Sequence, residues 1–289
     1  MMNLTVPVSS MIMMGVSLAA SILIPLILFL FFWKKYKCKP MAFVVGMVIM
    51  FVFAFTLEQI LHMAVLSSGI GSVITGNIWL YGLYGGLAAG VFEETGRFVA
   101  FKWILKKHRG DDHTALMYGA GHGGFEAAYI LGMGMLSNLS LAMLMNAGAT
   151  ELLFVGVPTS EVATLEAALV TLAETPAPVY LVGIVERLAA VIAHLALSVF
   201  VWFAVKKNFL FYPLAILMHG FLDFVVVVVN SLSGNILLVE VLCWGIALTF
   251  VFFAVKLWRR EHTVSLNAPA HADSMAEMHV AQDSADIEG

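Results

Sequence analysis

Clusters of ionisable side chains interrupt the most apolar stretches of this 289-residue chain. They comprise Glu93, Glu94 and Arg97, then His122 and Glu126, then His194, and finally His219 and Asp223. Carboxylates and imidazoles can activate water, stabilise an oxyanion and bind a metal ion. Ionisable residues inside a bilayer are costly and normally face one another or a cavity. The pattern therefore predicts one shared functional site, with chemistry suited to hydrolysis.

The composition places these side chains in a membrane protein. Hydrophobic residues make up 61% of the chain and charged residues only 12%, whereas about 25% of the residues in a soluble domain are charged. No basic stripe with interleaved aromatic residues occurs, so we expect no nucleic-acid partner. Cys38 and Cys243 are far apart in the sequence, which gives no disulfide or CxxC signal. The lipid bilayer is the expected surrounding medium.

The apolar stretches are long enough for helices that cross the bilayer, which needs roughly 20 residues. Seven of them qualify, at about 11–33, 41–66, 78–105, 114–136, 179–205, 210–230 and 236–258. The sequence thus predicts an all-α integral membrane protein with about seven transmembrane helices. A further apolar segment, 139–157, is predicted to form an extracytoplasmic or re-entrant hairpin that leads into an acidic loop.

The basic residues predict the orientation of these spans. All Lys and Arg residues except Arg97 and Arg187 lie at the end of, or directly after, the first, third, fifth and seventh spans. Cytoplasmic loops are enriched in such residues, so we expect the N-terminus outside and the C-terminus in the cytoplasm. Residues 1–260 then form a polytopic membrane domain, and 261–289, without Lys or Arg, form a disordered cytoplasmic tail. The multi-pass chain fits a bacterial plasma membrane.

Depth along the predicted helices brings the polar residues to one level. Glu94, His122, His194 and His219 each lie some ten to twelve residues from the cytoplasmic boundary, or roughly 15–18 Å at 1.5 Å per residue. That level is near the bilayer midplane. Farther out, Glu58 and Arg187 are predicted to form a structural pair. His62 and Glu240 are predicted to lie near the outer rim of the bundle.

Small residues recur at four-residue spacing on the third and fourth spans. They are Gly82, Gly86 and Gly90 on the third span, and Ala120, Gly124, Ala128 and Gly132 on the fourth. Such faces allow helix backbones to approach closely. We expect them to bring the helix with Glu94 against the helix with His122.

Catalytic roles are assigned to Glu93, Glu94 and His122. Neighbouring residues on a helix point about 100° apart, so only one of the two glutamates can face a cavity. We favour Glu94 as the base, because Arg97 can then turn toward Glu93 at i,i+4. Arg97 is thereby a supporting residue.

Three imidazoles and a carboxylate can also form a zinc site. Catalytic Zn²⁺ takes three protein ligands and a water whose pKa it lowers to about 7. His122, His194 and His219 are the predicted ligands, with Glu126 and Asp223 as supporting residues one turn away. No HExxH sequence occurs. The alternative scheme needs no metal and uses Glu94 as base and a histidine as oxyanion donor.

These motifs resemble those of the YhfC family of intramembrane metalloproteases, which is related to the PrsW peptidases and the CAAX protease superfamily. The resemblance covers about 79–230: Glu93, Glu94 and Arg97 match the first motif, and GHGGFEA at 121–127 resembles the second. His194, and His219 with Asp223, look like the later motifs. The resemblance implies that a first-motif glutamate activates water, while the histidines bind metal or stabilise the oxyanion. Arg97 follows at EExxR rather than EExxxR spacing, so a prenylated substrate is not expected.

The leading hypothesis is therefore a membrane peptidase of the metalloprotease type that cleaves a membrane-associated or transmembrane protein. One alternative is a proton- or ion-coupled transporter, since buried carboxylate and histidine chains also occur in pumps. An inverted repeat would favour transport, and none is evident in the sequence. The other alternative is a non-catalytic scaffold or immunity-type protein of the same fold.

Overall fold

The structure is a computed structural model that describes residues 4–267, with side chains described up to residue 262. The described residues contain helices and no strand. The last helix extends past residue 261, where the tail was predicted to begin, and 268–289 lie outside the described residues.

Nine helices follow one another along the described chain. They are α1 (Val8–Tyr36), α2 (Pro40–Leu66), α3 (Gly71–Thr75), α4 (Ile78–Val99), α5 (His113–Asn146), α6 (Thr159–Glu174), α7 (Val182–Lys206), α8 (Phe211–Ser233) and α9 (Ile236–Asn267). Two π turns, Phe53–Glu58 within α2 and Ala100–Ile104 after α4, widen the helices locally. Such turns are frequent near functional sites.

Six helices are long and apolar enough to cross a membrane: α1, α2, α5, α7 with the turn before it, α8 and α9. The prediction of an all-α, multi-pass membrane protein is thus confirmed. The remaining predicted span corresponds to α4, a helix of 22 residues that carries both glutamates of the pair and Arg97. A total of seven spans and the orientation of the termini stay predictions.

The region after the fourth predicted span differs from the expected hairpin. Helix α5 does not end near residue 136 but continues to Asn146, so 139–146 are its last two turns. The expected acidic loop contains helix α6, whose Leu169 and Leu172 pack into a small core with Met14 of α1. The side chain of Asn146 accepts a hydrogen bond from the backbone N–H of Val6 at 2.8 Å. The helix continues through this segment because its apolar residues are spaced for a helix and are not residues that favour a turn.

Helix α7 is the centre of the bundle: 72% of its most apolar stretch is buried, against 17–33% for the other candidate spans. It contacts α5, α8 and α9, while α5 packs on α1 and α2 and α4 packs on α8. The four helices that carry the ionisable clusters therefore surround one interior.

Glycines allow these helices to approach closely, as predicted, but their partners differ from the prediction. A Cβ at Gly86 of α4 would lie 2.3 Å from the carbonyl oxygen of Gly220 on α8. On α5, a Cβ at Gly124 would lie 2.6 Å from the Pro25 side chain of α1. The expectation that the two small-residue faces pack α4 against α5 is therefore wrong. The small-residue face of α4 packs on α8, and that of α5 packs on α1.

Candidate active site

The polar side chains of four helices converge in the interior of the bundle. The converging residues are Glu93, Glu94 and Arg97 of α4, His122 and Glu126 of α5, Arg187 and His194 of α7, and His219 and Asp223 of α8. Glu94, Arg97 and His122 are completely buried, and His194 and His219 are nearly so. Every predicted site residue thus takes part in one connected cluster.

Glu93 lies at the meeting point of two imidazoles. His122 Nε2–H donates to Glu93 Oε2 at 2.9 Å, and Tyr118 one turn earlier on α5 donates its hydroxyl proton to His122 Nδ1 at 3.2 Å. His194 Nδ1 lies 3.8 Å from the same Glu93 oxygen. One ligand atom from each of Glu93, His122 and His194 lies within 4.8 Å of the others. These three residues form a donor set that could hold a metal ion.

His219 has a different position from the one predicted for a third metal-binding histidine. Its Nδ1–H donates to Glu94 Oε1 at 2.7 Å, which directs Nε2 away from Glu94. Nε2 lies 3.6 Å from Asp223 Oδ2 and 4.0 Å from Glu93 Oε1. The set that the structure brings together has two imidazoles and a carboxylate, not three imidazoles, because Glu94 holds His219 to one side.

The glutamate pair is oriented opposite to the preference drawn from the sequence. Arg97 pairs with Glu94 at i,i+3, and its other terminal nitrogen donates to His194 Nδ1. The guanidinium is farther from Glu93, at 3.6 Å. Glu94 is enclosed, whereas Glu93 lines the cavity. The two glutamates are 100° apart on the helix, so the choice of Arg97 for Glu94 leaves Glu93 for the cavity.

Glu126 connects the centre to the edge of the cavity. One of its oxygens accepts a hydrogen bond from His194 Nε2–H, and the other accepts from Arg187 at 2.6 Å. Arg187 also pairs with Glu186 at 2.5 Å. The predicted pair of Glu58 with Arg187 is therefore wrong. Glu58 is buried and accepts from His62 Nε2 at 3.1 Å instead.

A cavity of about 110 Å³ adjoins the cluster. Its polar lining consists of Glu93, Glu126, Glu186, Arg187, His194, His219 and Asp223. A buried water molecule needs a cavity volume of about 10–15 Å³ and two to four polar partners. The cavity is thus large enough for several waters beside His194 and His219.

Sequence reasoning did not assign Tyr118 or Glu186 to the site. Tyr118 lies one turn before His122, so the i,i+4 spacing could have identified it. Glu186 is next to Arg187 in the sequence, and its place at the cavity depends on how α7 is rotated. That rotation follows from packing and is not readable from a uniformly apolar segment.

The charges of the cluster suit a divalent cation. Five carboxylates (Glu93, Glu94, Glu126, Glu186 and Asp223) accompany two guanidinium groups (Arg97 and Arg187). With neutral imidazoles, this leaves three negative charges at a largely buried site, where unbalanced charge is costly. Two imidazoles and a carboxylate are also a known zinc donor set that leaves one position open. Coordination through His194 Nδ1 would require that nitrogen to release its hydrogen bond from Arg97.

Two atoms of the cluster are unsatisfied. Glu94 Oε2 and Arg97 Nε are buried and have no hydrogen-bond partner within the described structure. Buried polar groups are nearly always paired in native structures. Such orphans are expected where an additional ligand or water completes the network.

Comparison with known proteins gives two matches. The model of the YhfC intramembrane metalloprotease family matches residues 20–243. The uncharacterized membrane protein YhfC of Bacillus subtilis (strain 168) is 32% identical over 261 residues, which cover 86% of this chain and 97% of that protein. No solved structure matches the chain.

Proposed function

Because this chain belongs to the YhfC intramembrane metalloprotease family, we propose that it is an endopeptidase that hydrolyses a membrane-associated or transmembrane protein. The observation that carries the proposal is the buried group of Glu93, His122 and His194, with ligand atoms within 4.8 Å of one another beside a polar cavity. Glu93 and His194 line the cavity, so water can lie next to them.

Glu93, His122 and His194 would hold the metal, which we propose to be zinc. When bound, such an ion lowers the pKa of a water molecule and polarises a carbonyl group. The surroundings of the three residues support this role. With a metal on Nε2 of His122, Nδ1–H of that ring would donate to the Tyr118 hydroxyl oxygen, while Nε2–H of His194 donates to Glu126. Partners of this kind orient metal-binding histidines and raise their basicity.

His219 is suited to move protons at the cavity. Glu94 accepts the hydrogen bond from Nδ1–H, so Nε2 is the ring nitrogen that faces Asp223 and Glu93. A carboxylate that holds one ring nitrogen in this way sets the tautomer of a general base. His219 Nε2 would take a proton from the attacking water and return it to the leaving amine. Asp223 would stabilise the imidazolium formed between these steps.

Glu94 and Arg97 act as positioning residues in this scheme. Both side chains are completely buried. Their ion pair connects His219 of α8, which donates to Glu94, with His194 of α7, which accepts from Arg97. A fixed pair between the two imidazoles keeps the proton-moving group and the metal-binding group at constant spacing. Preorganisation of this kind is a major source of catalytic rate.

The membrane setting defines the class of substrate. The cavity is lined by residues of α4, α5, α7, α8 and α9. A soluble protein would need to insert a segment between these helices to reach Glu93. We therefore propose that the substrate is a membrane-spanning or membrane-inserted peptide segment.

The direct test uses the purified chain in lipid nanodiscs with a library of membrane-spanning peptides, read by mass spectrometry. We expect cleavage by the wild type and a loss of at least about 100-fold in Glu93→Gln and His219→Ala. Glu240→Gln is the matched control, since Glu240 is a buried carboxylate of α9 that does not line the cavity. Full cleavage by both site variants would refute the assignment.

Metal content gives an independent readout. We expect about one equivalent of zinc per chain after purification without chelators, and its loss in the His122→Ala/His194→Ala double variant. Glu240→Gln should retain the metal. A metal-free wild type with intact cleavage would instead support the scheme in which carboxylates and histidines act alone.

One observation favours a second candidate, a proton relay. Hydrogen bonds run without interruption from the half-exposed Glu186 through Arg187, Glu126, His194, Arg97 and Glu94 to His219. Chains of this kind also occur in proton pumps and transporters. Proton flux into liposomes that disappears in His194→Ala, together with an absence of cleavage, would favour transport over hydrolysis.

A further inference from the structure

A wide apolar groove lies between α8 and α9, away from the polar cavity. Its volume is about 700 Å³. The apolar lining includes Phe200, Phe211, Leu214, Met218, Phe250 and Phe253. Lys256 and Arg260, one turn apart on α9, line the same groove. The groove therefore combines an apolar floor with two cations.

Lys256 also borders a second recess of about 420 Å³ on the outer face of α9, formed with Phe252, Val255 and Arg259. Two apolar recesses thus share one ammonium group. Lys256 forms no ion pair with any side chain that the structure describes, whereas Arg260 contacts Glu261 at 2.7 Å. Positive charge at this place exceeds negative charge.

The cations lie at one end of the bundle, which we call the basic end. It is the end where α1 finishes, α5 starts and α9 passes both, since the Tyr36 ring stacks on His113 at 4.4 Å and His113 contacts Trp258 at 5.4 Å. Lys34, Lys35 and Lys206 are also located there. A membrane interface with polar headgroups is expected at this level.

We propose that this groove binds one anionic phospholipid, with its phosphate at Lys256 and Arg260. One acyl chain would occupy the groove between α8 and α9, and the other would lie in the recess on α9. Basic pockets between membrane-spanning helices bind anionic lipid headgroups through the same combination of charge and apolar surface. A zwitterionic lipid has the chains but not the net charge that complements Lys256 and Arg260.

The proposed lipid site adjoins α8, the helix that carries His219 and Asp223 of the polar cluster. Met218 lines the groove, and His219, the following residue of α8, lines the polar cavity. A bound acyl chain would therefore pack on the outer side of the helix whose inner side presents His219. The lipid site itself does not depend on the proposed peptidase activity.

Native mass spectrometry of the full chain tests the proposal, with an equimolar mixture of phosphatidylglycerol and phosphatidylcholine added to protein in detergent. We expect preferential retention of one phosphatidylglycerol molecule. The Lys256→Ala/Arg260→Ala variant should bind it roughly 30-fold more weakly, because each basic side chain at a membrane surface contributes several-fold. Lys256→Gln alone, as a milder change, should lower retention by about fivefold.

The matched control is Lys34→Ala/Lys35→Ala, which removes two cations from the same end of the bundle on α1. It should leave retention unchanged. Leu214→Trp should lower retention without any change in charge, since Leu214 lines the groove and an indole would fill part of it. An equal loss in the α1 variant, or equal retention of both lipids by the wild type, would overturn the proposal and leave only general attraction to basic residues.

Discussion

Two of the clusters in which carboxylates meet histidines, within the part of the chain that the structure describes, are organised in opposite ways. At the basic end, one cluster is built around the carboxylate of Asp112. Its Oδ1 accepts from Trp202 Nε1–H at 2.8 Å and from Lys206, and its Oδ2 accepts from His262 Nδ1–H at 3.1 Å. Both oxygens are satisfied.

The central cluster has the reverse balance. Its carboxylates outnumber its guanidinium groups, Glu94 Oε2 and Arg97 Nε lack partners, and a polar cavity lies alongside. The Asp112 cluster connects α5, α7 and α9 and needs nothing further. The centre retains unbalanced charge and open space at the cost of stability. This contrast separates a structural clamp from a site that can accept a ligand.

The largest effect should come from removing Arg97, the fully buried cation of the central cluster. Arg97→Met leaves Glu94 and Glu93 buried without their guanidinium partner, and breaking a buried pair in this way costs about 3–5 kcal/mol. We expect a strongly reduced midpoint of thermal unfolding in detergent.

A second substitution tests the cause of that loss. In Arg97→Met/Glu94→Gln the uncompensated charge of Glu94 is gone, so much of the stability should return, although His219 loses its charged partner. If the double variant were as unstable as Arg97→Met, the loss would come from packing of the Arg97 side chain rather than from charge.

The second prediction concerns the contact that positions the central cluster. There the helices meet through backbone atoms, whereas at the basic end side chains hold them together. In Gly86→Ala the new methyl group would lie 2.3 Å from the carbonyl oxygen of Gly220, next to His219. Overpacking of this kind costs about 1–3 kcal/mol. Thermal unfolding should show this loss.

The adjacent glycine is the matched control. A Cβ at Gly85 would meet nothing within 4 Å, so Gly85→Ala should keep or slightly raise stability, as Ala favours a helix over Gly by about 1 kcal/mol. Equal losses in both variants would show that the contact with Gly220 is not responsible.

The same contrast shows what could be predicted from sequence. Ionisable residues within apolar segments are costly, so their types alone located Glu93, His122, His194 and His219, and their depth along each helix placed them at one level. Depth follows from counting residues at a fixed rise. The helical class and the membrane setting follow in the same way from composition and segment length.

Rotation of the helices about their axes could not be predicted. It decides that Arg97 turns to Glu94, that His219 is held by Glu94, and that α4 packs on α8. A membrane helix that is apolar on every side has no solvent face to fix its rotation, so close packing at glycines decides it. The clamp at Asp112 was missed because its partners come from two helices, α7 and α9, that are distant from it in the sequence.

The smallest effect is expected at Asp112. Asp112→Asn keeps the shape but removes the charge that Lys206 faces, and a hydrogen bond to a charged group contributes about 1.5–3 kcal/mol. Lys206 remains partly exposed, so the loss should be near the lower value. Metal content should not change, since Asp112 lies in the other cluster. A metal-free Asp112→Asn variant would show that the two clusters are coupled.

The pH dependence identifies the charge as the cause. Burial raises the pKa of Asp112, but hydrogen bonds from Lys206, Trp202 and His262 outweigh it and hold the pKa below its usual value. A depressed pKa in the folded state gives stability that is present above the ordinary pKa of about 3.9 and is lost as the pH falls through the folded value. The difference in unfolding midpoint between wild type and Asp112→Asn should therefore be constant near neutrality and shrink below about pH 4. A difference that stays constant down to pH 2 would mean that packing, and not the charge of Asp112, holds the three helices together at the basic end.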